Sequence, residues 1–179
     1  MKDDYIVVLD FLSTGHADSR KGEPTVQGIG KNFLSLLEVI LKEGVVVKPE
    51  DSLYIGEMKR EHVKYVKGRI SYNQLTGFAK SELEVVIDKI IDGDEKRFVN
   101  FFNIAGPVST RLHSLELLPG IGKKHMWSII EQRKKKKFEN FEDLKKRVDM
   151  LPDPKRMIKK RIVDELKEID RHRLFVANR

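Results

Sequence analysis

The chain of 179 residues has no cysteine. That excludes disulfides, thiol catalysis, thiolate zinc sites and iron–sulfur clusters, and it suits a reducing interior. No run of about 18 apolar residues exists, so no membrane-spanning helix is expected. The opening MKDDYIVV carries no apolar signal region. The five histidines, His16, His62, His113, His125 and His172, never stand at metal-ligand spacing, and neither HExxH nor GxxxxGK[ST] is present. These absences predict a soluble cytoplasmic protein with no membrane partner, no metal and no cofactor. No carboxylate cluster with a nucleophile can be named either, so no catalytic residue is assigned.

Charge is what the chain has in excess. Residues 1–106 hold 15 Lys/Arg against 17 Asp/Glu, a net of −2, whereas residues 107–179 hold 20 against 11, a net of +9. The basic character therefore belongs to the C-terminal part. It fits either a solvated helical surface rich in lysine or an acidic partner such as nucleic acid.

The hydrophobic pattern changes along the chain. Tyr5–Leu12 is β-branched and aromatic-rich and reads as a strand. Ser13–Gly30, with its glycines and Pro24, reads as one long loop. Phe33–Leu41 suits a strand or a helix, and the Gly44 and Val45-Val46-Val47 that follow favour the strand. Leu53–Ile55 and Glu61–Tyr72 read as further strands. From Ala79 the period becomes helical: Leu83, Val86, Ile87, Ile90 and Ile91 fall on one face. A second helix is expected over residues 94–104, with Phe98, Phe101 and Phe102 as core rather than base-stacking residues. Gly106-Pro107 marks a boundary. Beyond it Thr110–Leu118, Gly122–Lys134, Phe141–Val148 and Pro154–Asp170 are helical in pattern. The expected organisation is a β domain over residues 1–75, a helical connector over 76–106 and an all-helical domain over 107–179.

Leu117-Leu118-Pro119-Gly120-Ile121-Gly122-Lys123-Lys124 joins two of these helical segments. Pro119 disfavours helical backbone at Leu118. Gly120 can take a positive φ, Ile121 can tuck beneath the turn, and Gly122 can open the next helix. Amides at such an apex have no intrahelical acceptor and lie at the positive end of the helix dipole, so they form an anion cradle. Lys123 and Lys124 then sit in a helical turn that disfavours cations unless an anion is bound. His125 follows, able to meet a phosphate or water. Arg133, Lys134, Lys135, Lys136 and Lys137 form an unbroken cationic run, and Lys155 and Arg156 open the last helix. Trp127 reads as core within an apolar helix. Gly28-Ile29-Gly30-Lys31 repeats the letters of the turn without the preceding Leu-Pro and reads as loop.

The Leu-Pro-Gly-Ile-Gly turn resembles the helix-hairpin-helix motif of DNA-binding proteins. Residues 129–148, with an arginine, a basic run and Phe141-Glu142-Asp143-Leu144, are similar to the segment that links paired hairpins in competence and repair proteins. Leu151-Pro152-Asp153-Pro154 stands where the second hairpin belongs, but Asp153 and Pro154 replace its glycines, and Pro154 has no N–H to donate. The resemblance implies an α+β protein: a small OB-like β-barrel domain followed by an all-α double helix-hairpin-helix domain. It further implies binding to a DNA or RNA backbone without sequence preference through Gly120, Ile121, Gly122, Lys123, Lys124, His125, Arg133–Lys137, Lys155 and Arg156. The β domain would offer a second surface for nucleic acid or a protein partner. The whole arrangement is similar to a mainly archaeal family of predicted nucleic-acid-binding proteins. Two other readings stay open. Repair glycosylases carry a catalytic lysine where Lys124 stands, although their Val-Asp-Thr context is absent, and double hairpins also serve as protein-interaction scaffolds.

Overall fold

A computed structural model describes residues 2–17 and 22–177. The described residues form an α+β fold with five strands and five α-helices. The chain divides into two compact units, residues 1–86 with 164–179, and residues 87–163. Both divisions fall inside helices, the first in α1 (Gly77–Gly93) and the second in α5 (Pro154–Leu166).

The first unit is built on β1 (Tyr5–Leu12), β2 (Thr25–Gly30), β3 (Leu36–Leu41), β4 (Ser52–Tyr54) and β5 (Val63–Arg69). Every pairing is antiparallel, in the order β4-β1-β2-β3-β5, so β4 and β5 are the two edges. The sheet is curled. Ile6, Val8, Val26, Leu37, Val39, Leu53 and Val63 form one buried cluster to which all five strands contribute. Full burial of each such side chain contributes about 1.5–3 kcal/mol before chain entropy is counted.

The expectation of a single loop over Ser13–Gly30 is corrected here. Thr25–Gly30 is the central strand, buried throughout. Gln27, Gly28 and Gly30 are poor strand formers, and tertiary packing overrides them. Their smallness is what lets neighbours approach. A Cβ on Gly28 would lie 2.9 Å from the Val7 carbonyl oxygen, and one on Gly30 would overlap the Asp3 carboxylate. The Gly28-Ile29-Gly30-Lys31 echo of the hairpin turn is thus the end of a strand that other backbone crosses closely.

A polar cluster stands on the same unit. Gln27 Nε2 donates to Glu38 Oε1 (3.0 Å), Lys67 Nζ to Glu38 Oε2 (2.9 Å), and His16 Nε2 lies 2.6 Å from Glu38 Oε1. Burial pushes the Glu38 carboxyl up, but these hydrogen bonds outweigh it and hold the pKa below its ordinary value. Thr76 joins sheet to helix: its N–H donates to Gln27 Oε1 (2.8 Å), its hydroxyl to Asp10 Oδ2 (2.6 Å), and it accepts from Ala79 N (2.9 Å) at the start of α1. The predicted apolar face of α1 is found: Leu83, Val86, Ile87, Ile90 and Ile91 are all buried. At the end of α5, the carboxylate of Glu165 accepts the N–H groups of Leu174 (2.7 Å), Phe175 (3.1 Å) and Val176 (2.9 Å).

The second unit holds α2 (Glu95–Ile104), α3 (Lys123–Lys135), α4 (Phe141–Arg147) and most of α5 around Phe98, Phe102, Leu115, Ile129, Leu144 and Ile158. The helix expected over Thr110–Leu118 is reduced to a 3₁₀ turn, Ser114–Leu117. Ser109 and Thr110 form a loop closed by the pairing of Pro107 with His113, as side-chain hydroxyls near the backbone favour. His113 begins the turn: its Nδ1 accepts from Leu115 N (3.2 Å), and its own N–H donates to Glu116 Oε2 (3.0 Å).

Candidate nucleic-acid interface

The turn between the 3₁₀ segment and α3 follows from its residues. Leu118 is extended (φ −78°, ψ 132°), as a residue before proline prefers. Gly120 has φ +90°, a region that penalises any side chain. A Cβ there would also lie 3.2 Å from Pro152 Cγ, so the two Leu-Pro turns of the unit pack on each other. Ile121 is buried and its N–H donates to Leu118 O (3.2 Å). Gly122 is the N-cap of α3, and the first helical bond runs from Met126 N to Gly122 O (3.0 Å).

The amides of Gly122, Lys123 and Lys124 have no acceptor among the described residues, and all three residues are exposed. α3 therefore presents free donors at the positive end of its dipole. Met126 and Ile129 are its buried stripe. Lys124, Trp127, Glu131, Lys134 and Lys135 are exposed at helical spacing on the other side. Trp127, expected in the core, is 57% exposed; the buried stripe runs through Met126, one residue before it, and Ile129, two residues after it.

The expected phosphate contacts separate into free and occupied cations. Lys124, Lys134, Lys135, Lys137 and Arg156 are exposed and make no ion pair among the described residues. His125 is half-buried at the start of α3. Lys123 pairs with Glu116 (3.0 Å), and Lys136 with Glu139 (2.7 Å). Lys155 bonds to Asp92 (2.7 Å), whose carboxylate raises its pKa. Arg133 donates from Nη1 to the carbonyls of Phe102 (3.0 Å) and Ala105 (2.8 Å), and burial lowers its pKa. It closes the C-terminal end of α2.

Two features escaped the sequence. Arg147 closes the C-terminal end of α3 by donating to Gln132 O and Lys136 O, and its guanidinium covers the Phe138 ring at 4.5 Å. The only forewarning was a lone arginine among lysines at a helix end. At the second turn, Asp153 Oδ1 accepts from Arg156 N (2.9 Å). The amide that a phosphate would use there is taken by the protein's own carboxylate.

Among the described residues no helix is long and apolar enough to cross a membrane. An uncharacterised protein of Methanocaldococcus jannaschii is 46% identical over 176 residues, which cover 97% of this chain and 80% of that one. The crystal structure of an Archaeoglobus fulgidus protein, itself assigned to a described family, superposes with a TM-score of 0.87 at 44% identity over 98% of this chain and 100% of that chain. That same family, described as "Protein of unknown function (DUF655)", matches residues 2–177, and the chain belongs to it.

Proposed function

We propose that the protein binds a DNA or RNA backbone without sequence preference, as a non-enzymatic component, through a helix-hairpin-helix at residues 114–135. The observation that carries this reading is the exposed start of α3, where, among the described residues, the Gly122, Lys123 and Lys124 amides lack an acceptor and the Lys124 ammonium lacks a carboxylate. A phosphate oxygen satisfies both at once. Lys134, Lys135, Lys137 and Arg156 supply further positive charge. Arg133, Lys155 and Arg147 are excluded from the contact set because carbonyls or carboxylates already hold them. The second turn serves packing, since Asp153 fills its own amide site.

The curled antiparallel sheet supports an OB-like half-barrel as the first unit, a shape that offers a second surface to a strand or a protein.

The test is fluorescence anisotropy with duplex DNA, single-stranded DNA and RNA across a salt series. The affinity should fall with salt by about 0.9 log units per log salt for each duplex phosphate engaged. Lys123→Pro suits the first helical position while removing one apex N–H, and Lys124→Glu inverts the apex charge; both should weaken binding to every probe alike. Absence of binding at low salt overturns the reading and favours a protein-interaction scaffold.

A further inference from the structure

Among the described residues the edges β4 and β5 do not pair, and a cavity of about 310 Å³ opens on the first unit, lined by Ile55, which follows β4, and by Val66, Gly68 and Arg69 of β5. Its apolar part comes from Leu37, Ile55 and Val66, which belong to or pack on the cluster inside the curled sheet. Its polar part is cationic, with Lys2, Arg60 and Arg69 in the lining. Lys2 and Arg60 make no ion pair among the described residues; Arg60 Nε donates only to the Gly56 carbonyl oxygen (2.9 Å).

Three further residues complete the wall. Asp3 is the one acid in it, and its Oδ1 is already engaged by the N–H groups of Asn32 (2.7 Å) and Phe33 (2.9 Å). Ser35 lines the same cavity, is only 6% exposed, and its hydroxyl has no hydrogen-bond partner among the described residues. A buried hydroxyl without a partner is costly, and a ligand oxygen in this cavity removes that cost. Gly68 stands beside Arg69 with φ +153°, and a Cβ on it would meet nothing within 4 Å, so the strand leaves open space where a side chain would stand.

Cations beside an apolar floor, with one orphaned hydroxyl, fit a small anion that carries a flat apolar body. The volume sits at the low end for small-molecule sites, which suits one nucleotide and excludes a duplex. We propose that this cavity binds a single nucleotide unit, its phosphate at Lys2, Arg60 and Arg69, its body over Leu37, Ile55 and Val66, and one oxygen on the Ser35 hydroxyl. The site draws on none of the hairpin residues, so it goes beyond the backbone-binding reading and stands or falls separately. A free nucleotide and the phosphorylated end of a strand share this chemistry.

Calorimetric titration of the full chain decides it, with AMP, inorganic phosphate, and a short single-stranded oligonucleotide bearing either a 5′-phosphate or a 5′-hydroxyl. The expected result is saturable binding of AMP or of the phosphorylated strand, weakened at least tenfold in Arg60→Gln/Arg69→Gln. Ser35→Ala should lose about tenfold in affinity while its unliganded melting temperature stays level or rises, which a purely structural serine would not do. Equal affinity for AMP and the phosphorylated strand assigns the site to free nucleotides; tighter binding of the phosphorylated strand assigns it to strand ends. Absence of saturable binding, equal binding of AMP and inorganic phosphate, or undiminished binding by the double glutamine variant overturns the proposal.

Discussion

Arg133 donates to the carbonyl oxygen of Ala105 at 2.8 Å, so a residue inside the most basic stretch of the chain is spent on ending a helix. Its neighbours differ. Lys134 and Lys135 are exposed and make no ion pair among the described residues. Arg133→Ala should lower stability by about 1–3 kcal/mol, because two carbonyls lose a charged donor, yet leave the salt dependence of nucleic-acid binding unchanged. Lys134→Ala/Lys135→Ala should do the reverse. Chemical denaturation and salt-dependent anisotropy on the same samples separate the two effects, and a flattened salt slope in Arg133→Ala would contradict the assignment.

Asp153 holds the Arg156 amide at 2.9 Å and closes the second turn to anions. Asp153→Asn keeps an oxygen for that amide and removes the negative charge. The variant should bind duplex DNA a few-fold more tightly at low salt and remain as stable as the parent. Asp153→Ala loses the cap and should cost about 1 kcal/mol. Equal affinity of Asp153→Asn and parent would place the second turn away from the bound backbone.

The packing of β2 gives a contrast between two glycines. A Cβ on Gly30 would overlap the Asp3 carboxylate, whereas one on Gly93, at the end of α1, meets nothing within 4 Å. Gly30→Ala should destabilise by about 1–3 kcal/mol. Gly93→Ala should be neutral or stabilise by up to about 1 kcal/mol through the unfolded chain. Thermal melts of the pair check this directly.

Acid should weaken both units by the same linkage. His113 is held below its usual 6.5, chiefly by burial and then by the Arg133 charge, and its Nδ1 must stay unprotonated to accept from Leu115 N. Between pH 6.5 and the lower folded value the unfolded chain binds the extra proton, so stability falls as pH drops through that window. Glu38 is lowered from 4.5; its contribution persists above 4.5 and is lost as pH falls through its folded value. NMR titration should put the His113 midpoint below 6.5, and Glu38→Gln should flatten the stability profile only below pH 4.5.

Much of this was legible in the residues, and the failures share a cause. The apolar face of α1 was readable because its period is long and uninterrupted. β2 was not, because Gln27, Gly28 and Gly30 serve neighbours distant in sequence rather than a local preference. The hairpin turn was readable because proline and glycine act on their own backbone. The separation of free from occupied cations was not, since Glu116, Asp92 and the α2 carbonyls lie far along the chain from several of the groups they hold. A count of apolar neighbours puts Trp127 inside, yet the buried stripe of α3 runs through Met126 and Ile129. As the single tryptophan, it should show the emission of a solvated indole, open to iodide quenching.

The central claim concerns three amides. Recording ¹H–¹⁵N spectra of the labelled protein during titration with a short duplex at low salt tests it most directly. The account predicts that the Gly122, Lys123 and Lys124 cross-peaks move most among the backbone amides of residues 87–163 and return as salt is raised, and that those of Gly122 and Lys123 stay still in Lys124→Glu. Strong duplex binding with those three cross-peaks unmoved would contradict it.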